Sequence, residues 1–197
     1  MSTLSETLIR AAIVIIVLVV VGWGVLLLWN NYLKPYFQGI PEFEYAAQEY
    51  EGPDSTVSVD SIQYSSSTCP GKIFERAKQY LGIDVTRDGN PKSACARFVS
   101  KVLYDVGFPI KVGSFDYVPN IEDKLLKEGS QKISKNSLQP GDIVVGRGSG
   151  ASGRHVFIFT HFEGTYVCGI GEPGMSKPVK HQCNPSFYAG YRITKCK

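Results

Sequence analysis

Residues 94–106 read AlaCysAlaArgPheValSerLysValLeuTyrAspVal, and their spacing decides the first half of the fold. Phe98, Val99, Val102, Leu103 and Val106 recur at helical intervals and line one apolar stripe. Ser93 stands where an N-cap belongs, and Gly107 where a left-handed C-cap belongs. The pattern predicts a helix buried along one face, with Cys95 in its first turn. A thiol there feels the positive end of the helix dipole and unpaired N–H groups, both of which favour the nucleophilic thiolate. The plainer reading is a small core residue, because free cysteine is among the most buried residue types.

Working outward, LysIlePheGluArgAlaLysGlnTyrLeu (72–81) predicts a helix closed by Gly82, and 83–92 predicts a loop. TyrValProAsnIleGluAspLysLeuLeuLysGlu (117–128) predicts another helix, closed by Gly129. The hydrophobic period then changes from helical to alternating. Strands are expected at 138–146 after a ProGlyAsp turn, at 154–162, at 165–171 and at 186–194. Residues 56–63 could pair as an edge strand. Helices first and antiparallel strands after define an α+β class.

The ends of the chain carry different signals. Residues 1–10 are a short polar tail, and 11–29 contain no charge. At ~1.5 Å per residue, a helix over about 11–30 spans roughly the ~30 Å hydrocarbon core of a bilayer. Trp29 and Tyr32 suit an interfacial aromatic belt. The run outlasts a signal-peptide core, and no small-residue cleavage site follows it, so an uncleaved single-pass anchor is expected. Arg10 before the span favours an outward-facing C-terminal region. Residues 31–68, rich in Pro, Gly and Ser, read as a tether, and 69–197 as the globular domain. A net charge of +3 with no Lys/Arg run excludes a nucleic-acid-binding pattern. Five cysteines leave at least one thiol free in an oxidising compartment. If that one is Cys95, then Cys69, Cys168, Cys183 and Cys196 remain, with three possible pairings. No CxxC or His/Cys spacing suggests a metal site, and no cofactor is expected.

The order of these pieces resembles the NlpC-type cell-wall cysteine peptidases, and is similar to the related CHAP amidases. The matching segments are CysAlaArgPheValSerLysValLeu (95–103), LeuGlnProGlyAspIleValVal (138–145), HisValPheIlePhe (155–159) and TyrAlaGlyTyrArgIle (188–193). The resemblance covers residues 71–195. It implies a papain-like α+β fold in which Cys95 attacks an amide carbonyl of peptidoglycan and His155 moves the proton. Where many relatives carry an acidic residue before the cysteine and Ser-Gly after it, this chain has Ala94, Ala96 and Arg97. The histidine usual about twelve positions after the first is also missing. Glu172 is the nearest replacement and would orient the imidazole, as an acidic residue does in the CHAP branch; a Cys–His dyad without a third member is the alternative.

The chemistry agrees with the resemblance. A thiolate–imidazolium pair attacks amides near neutral pH, and N–H groups at a helix start can hold the oxyanion. Of the three histidines, His161 shares strand parity with His155 but lies about 20 Å along a strand at ~3.3 Å per residue. It reads as a turn residue, and His181 as a solvated loop residue. The Gly-rich stretch 146–154 lacks the features of a phosphate loop. As a mobile lip it would bring Arg147 and Arg154 to stem-peptide carboxylates, and Asp116 would line the same cleft. The expectation is a membrane-anchored peptidoglycan hydrolase, in a bacterial envelope or as a lysin of a membrane-containing phage, with other virion or envelope proteins as possible neighbours. An inactive structural protein of the same fold and a membrane-linked cysteine acyltransferase are the competing readings.

Overall fold

The structure, a computed structural model, describes residues 52–87, 93–115, 117–148 and 152–196. These belong to one compact unit that begins at Ala47. The anchor expected at 11–30 lies outside the described residues, and no helix among those described is long and apolar enough to cross a membrane.

Three helices precede and flank one antiparallel sheet. The helices are α1 (Cys69–Lys78), α2 (Ala94–Asp105) and α3 (Val118–Lys127). The strands are β1 (Gln131–Ile133), β2 (Ile143–Arg147), β3 (Arg154–Glu163), β4 (Tyr166–Gly171), β5 (Lys180–Asn184) and β6 (Ala189–Arg192). They lie in the order β1-β6-β2-β3-β4-β5, every pair antiparallel. The α+β class read from the sequence is therefore the observed one.

The stripe on α2 does what its spacing requires. Phe98, Val99, Val102 and Leu103 are fully buried, each adding roughly 1.5–3 kcal/mol of apolar burial. They pack with Ile73 and Phe74 of α1 and Ile121 and Leu125 of α3 onto Ile143, Val145, Val156, Ile158 and Ile170 of the sheet. The helix stops at a Schellman-type end: Gly107 has φ +78° and the N–H of Phe108 donates to the carbonyl of Leu103 at 3.0 Å. The opposite face of the sheet carries a smaller cluster of Val144, Phe157, Phe159 and Val167, covered by Leu138 and Phe187.

Two of the segments that carry the resemblance meet at a buried ion pair. Asp142, in the ProGlyAsp turn, is inaccessible to solvent and takes both Nε and Nη2 of Arg192 on β6, at 2.9 and 2.7 Å. Its Oδ2 also accepts from the N–H of Gln139 at 2.8 Å. The pair locks the start of β2 to β6.

Three features depart from the sequence reading. The domain begins before residue 69: Pro53 and Ser55 hydrogen-bond to Cys183 and His181 of β5, and Val59 is buried in the main core. Residues 59–61 form a 3-10 turn instead of lying within an edge strand. β5 places His181, which the sequence reads as a solvated loop residue, within a strand, because LysHisGlnCysAsn has no apolar alternation to reveal it.

The disulfides are Cys69–Cys196 and Cys168–Cys183, and Cys95 is the free cysteine. Cys69–Cys196 ties the start of α1 to the chain's last residues. Cys168 and Cys183 are direct partners in the β4–β5 register.

Candidate active site

Ser93 is the N-cap residue of α2, yet its hydroxyl does not cap the helix. Its Oγ lies 3.0 Å from Sγ of Cys95. The backbone amides of Val156, Ala96 and Cys95 itself are near enough to bear on the ionisation of the sulfur. Cys95 is only 6% exposed. Burial pushes the thiol pKa up, and the Ser93 hydroxyl and the three N–H groups pull partly the other way. The resting group is therefore a thiol surrounded by donors suited to an anion.

His155 is the second residue of β3 and is buried. Alternation along the strand gives Val156 and Ile158 to the helical face and His155 and Phe157 to the other. The imidazole stacks on Phe157 with ring centroids 5.6 Å apart. The side chain thus leaves the strand away from α2, and the sulfur of Cys95 meets the strand at the next amide. Among the described residues, no hydrogen bond joins Sγ to the imidazole. Burial drives the His155 pKa down to about 4, so the ring is neutral at pH 7.

Among the described residues the imidazole meets Gln182 of β5, whose amide nitrogen lies 2.9 Å from Nε2 of His155. Gln182 reaches it across β4 because β4 carries glycine there. A Cβ on Gly171 would sit 3.1 Å from Nε2 of His155 and 3.4 Å from Nε2 of Gln182. Sequence reading missed Gln182, since it stands two strands from His155 in a segment without strand signal. The available clue was Gly169 and Gly171 at alternate positions, a gap on one face of β4.

Glu172 does not orient the imidazole. It follows β4, and continuing the Ile158↔Ile170 register brings it level with Val156, on the helical face. Its carboxyl is fully buried and neither oxygen has a hydrogen-bond partner. Burial raises its pKa to about 9, and the neighbouring charge of Asp84 pushes the same way, as would a thiolate at Cys95. Cys95, His155 and Glu172 are therefore all uncharged at rest.

The other residues singled out in the sequence are spread around this centre. Arg147 and Arg154 are cross-strand partners at the end of the β2–β3 ladder. Arg154 is bound to the carboxylate of Glu122 on α3, which also accepts from the Tyr191 hydroxyl at 2.7 Å. Arg147 is exposed. Asp116 lies outside the described residues. His161 belongs to β3, not to a turn, and a register shift between Phe159 and His161 breaks its parity with His155. No family model and no curated protein matches the chain.

Proposed function

We propose that the chain is a papain-like thiol hydrolase that cuts peptide or amide bonds of peptidoglycan, held at a bilayer by residues 11–30 with its domain outside the cytoplasm. The observation that carries this reading is the setting of Cys95. The one cysteine outside a disulfide sits in the first turn of α2, where backbone N–H groups have no intrahelical partner, with the Ser93 hydroxyl 3.0 Å from its sulfur. A core cysteine needs no such set of donors; a developing thiolate or oxyanion does.

Cys95 is the nucleophile and His155 the base in this reading. As the amide is drawn, Nε2 of Gln182 donates to Nε2 of His155. A half-turn of that amide presents its oxygen instead, fixes the proton on Nε2 and leaves Nδ1 basic. Proton transfer then runs from Sγ to Nδ1, and it requires the two side chains to close up around the end of β3. The sulfur adds to the carbonyl carbon, and the oxyanion is received by the N–H groups at the start of α2. His155 returns its proton to the departing amine, and water hydrolyses the thioester. A neutral Glu172 leaves the thiolate unopposed, whereas an ionised one beside it would work against its formation. Arg147 offers a cation to a stem-peptide carboxylate.

The test is digestion of purified peptidoglycan of several chemotypes by the full chain, with products identified by mass. The wild type should release defined muropeptide fragments and Cys95→Ala none. Gln182→Ala should lose about 10²-fold or more in rate, within the span of general acid–base effects. A folded wild type that releases nothing from any wall would sink the proposal. It would favour the non-catalytic envelope or virion protein, a reading that draws on the buried sulfur and its missing hydrogen bond to the imidazole.

A further inference from the structure

A second group of reactive side chains lies further along β3, β4 and β5, on the helical face. The register shift in β3 turns His161 and Glu163 onto that face, and His161 then pairs directly with Cys168, which pairs with Cys183. Two residues before Cys183 on β5 stands His181, its ring 5.3 Å from that of His161. Five residues with metal-binding side chains thus share one side of a three-stranded patch. One ligand atom each from His161, Glu163 and Cys168 fall within 4.8 Å of one another. Tetrahedral zinc, with bonds of ~2.0–2.3 Å, needs its ligand atoms about 3.3–3.8 Å apart. Shifts of about 1 Å would close the set.

The surroundings hold these groups in place. Nε2 of His161 lies 3.1 Å from Oε1 of Glu163. Nδ1 of His161 lies 3.0 Å from Oγ1 of Thr160, which also lies 2.8 Å from Nε2 of His181. The Glu163 carboxylate accepts from the hydroxyl of Ser55, the N–H of Thr56 at 3.0 Å and the Thr56 hydroxyl at 3.2 Å. Outer partners of this kind fix the orientation of metal ligands. What keeps a cation out is the state of the sulfur, since Cys168 is bonded to Cys183.

We propose that reduction of Cys168–Cys183 creates a zinc-class metal site built on His161, Glu163 and Cys168, with the released Cys183 thiolate or His181 moving in as the fourth ligand. The same strands would then be pinned by a disulfide in an oxidising compartment and by a cation in a reducing one. The step balances with a dithiol reductant. Its two thiols are oxidised to a disulfide, and the two electrons and two protons convert Cys168–Cys183 to two thiols. Binding of the divalent cation then releases those two protons to solvent as the thiolates ligate. The argument rests on strand register and is independent of the role given to Cys95.

The experiment uses the full chain and cobalt as the probe. Protein is reduced with a dithiol, freed of reductant without oxygen, and titrated with Co²⁺, then with Zn²⁺ in competition. The expected result is one equivalent of cobalt with the thiolate charge-transfer and tetrahedral bands, displaced by zinc and absent from the oxidised chain. Cys168→Ser should abolish the thiolate bands. His161→Ala, which leaves both cysteines in place, should weaken binding at least about tenfold. Cys95→Ala and Cys69→Ser should leave the spectrum unchanged. If reduction alone unfolds the chain, cobalt added to that sample should restore both the bands and the circular dichroism of the fold. The proposal is overturned if the reduced chain binds no cobalt. It is equally overturned if the bands survive Cys168→Ser or vanish only when Cys95 or Cys69 is replaced.

Discussion

Glu163 and Glu172 flank β4 on the same side of the sheet, yet they are opposite chemical species. Glu163 receives hydroxyl and N–H donors from residues 55–57 and stands beside His161; the Ser55 hydroxyl foremost holds its pKa down to about 2. Among the described residues neither carboxyl oxygen of Glu172 meets a well-formed hydrogen bond, Thr86 offsets little, and burial raises its pKa to about 9. The strand between them spans six residues, Tyr166–Gly171. Ionisation here is decided by which groups the fold delivers to each end of that strand. At one end an early segment returns with donors. At the other the carboxyl faces the thiol of α2 and a second acid, Asp84.

A third carboxylate, Asp142, sharpens the contrast, because it is as inaccessible as Glu172 but has a full partner in Arg192. Removing that partner should give the largest effect of the set. Arg192→Ala should cost about 3–5 kcal/mol, the range for stranding a buried charge, read as a lower urea midpoint at pH 7. An unchanged midpoint would mean that Asp142 is satisfied by its turn alone. Next comes Glu163→Gln, which keeps the shape but loses the charge that gathers the donors. A lower urea midpoint and faster amide exchange at residues 55–57 are expected. Glu172→Gln should raise the urea midpoint at pH 7, because Glu172 is ionised in the unfolded chain and must take up a proton on folding, whereas Gln is neutral in both states.

The difference at Glu172 should emerge with pH. A carboxyl whose folded pKa is raised to about 9 from 4.5 contributes stability that is complete below 4.5 and is lost as pH climbs toward 9. Buried His155 and half-buried His181, both lowered to about 4 from 6.5, contribute stability present above 6.5 that is lost as pH falls toward 4. Thermal stability should therefore peak close to pH 6.5. In Glu172→Gln the alkaline side of the curve should flatten and the acid side should stay. A wild-type Tm that rises from pH 7 to pH 9 would show that Glu172 is charged and compensated.

Much of this arrangement was readable from residue order, for identifiable reasons. The α2 stripe, Gly107 and Gly129 marked helix faces and ends, because burial and left-handed backbone leave local signatures. Cys95 was legible as a special thiol because it falls in a first turn, and His155 because it heads an apolar strand. β5 was not legible, since its inward positions are filled by a disulfide and by Gln182 instead of aliphatic residues. The β3 register shift left no trace in the apolar pattern, so His161 and His155 read as same-face neighbours. Gln182 was hidden for a related reason: its contact is made across an intervening strand, at a distance that no spacing rule covers. Glu172 was found by position, but its lack of donors depends on which segments fold back, and that is a property of tertiary structure alone.

The bond between Cys69 and Cys196 also has a mechanical meaning. It fastens the beginning of α1 to the end of the chain across 127 residues. A pull on the chain from its amino-terminal side would first strip residues 53–55 from β5, one hydrogen bond at a time. At Cys69 the load would reach a covalent stop. The load would pass through the sulfur bridge to Cys196, beyond β6, without first opening α1. A chain pulled from that side could thus give up its first strap and still keep the helices and sheet around Cys95 in place.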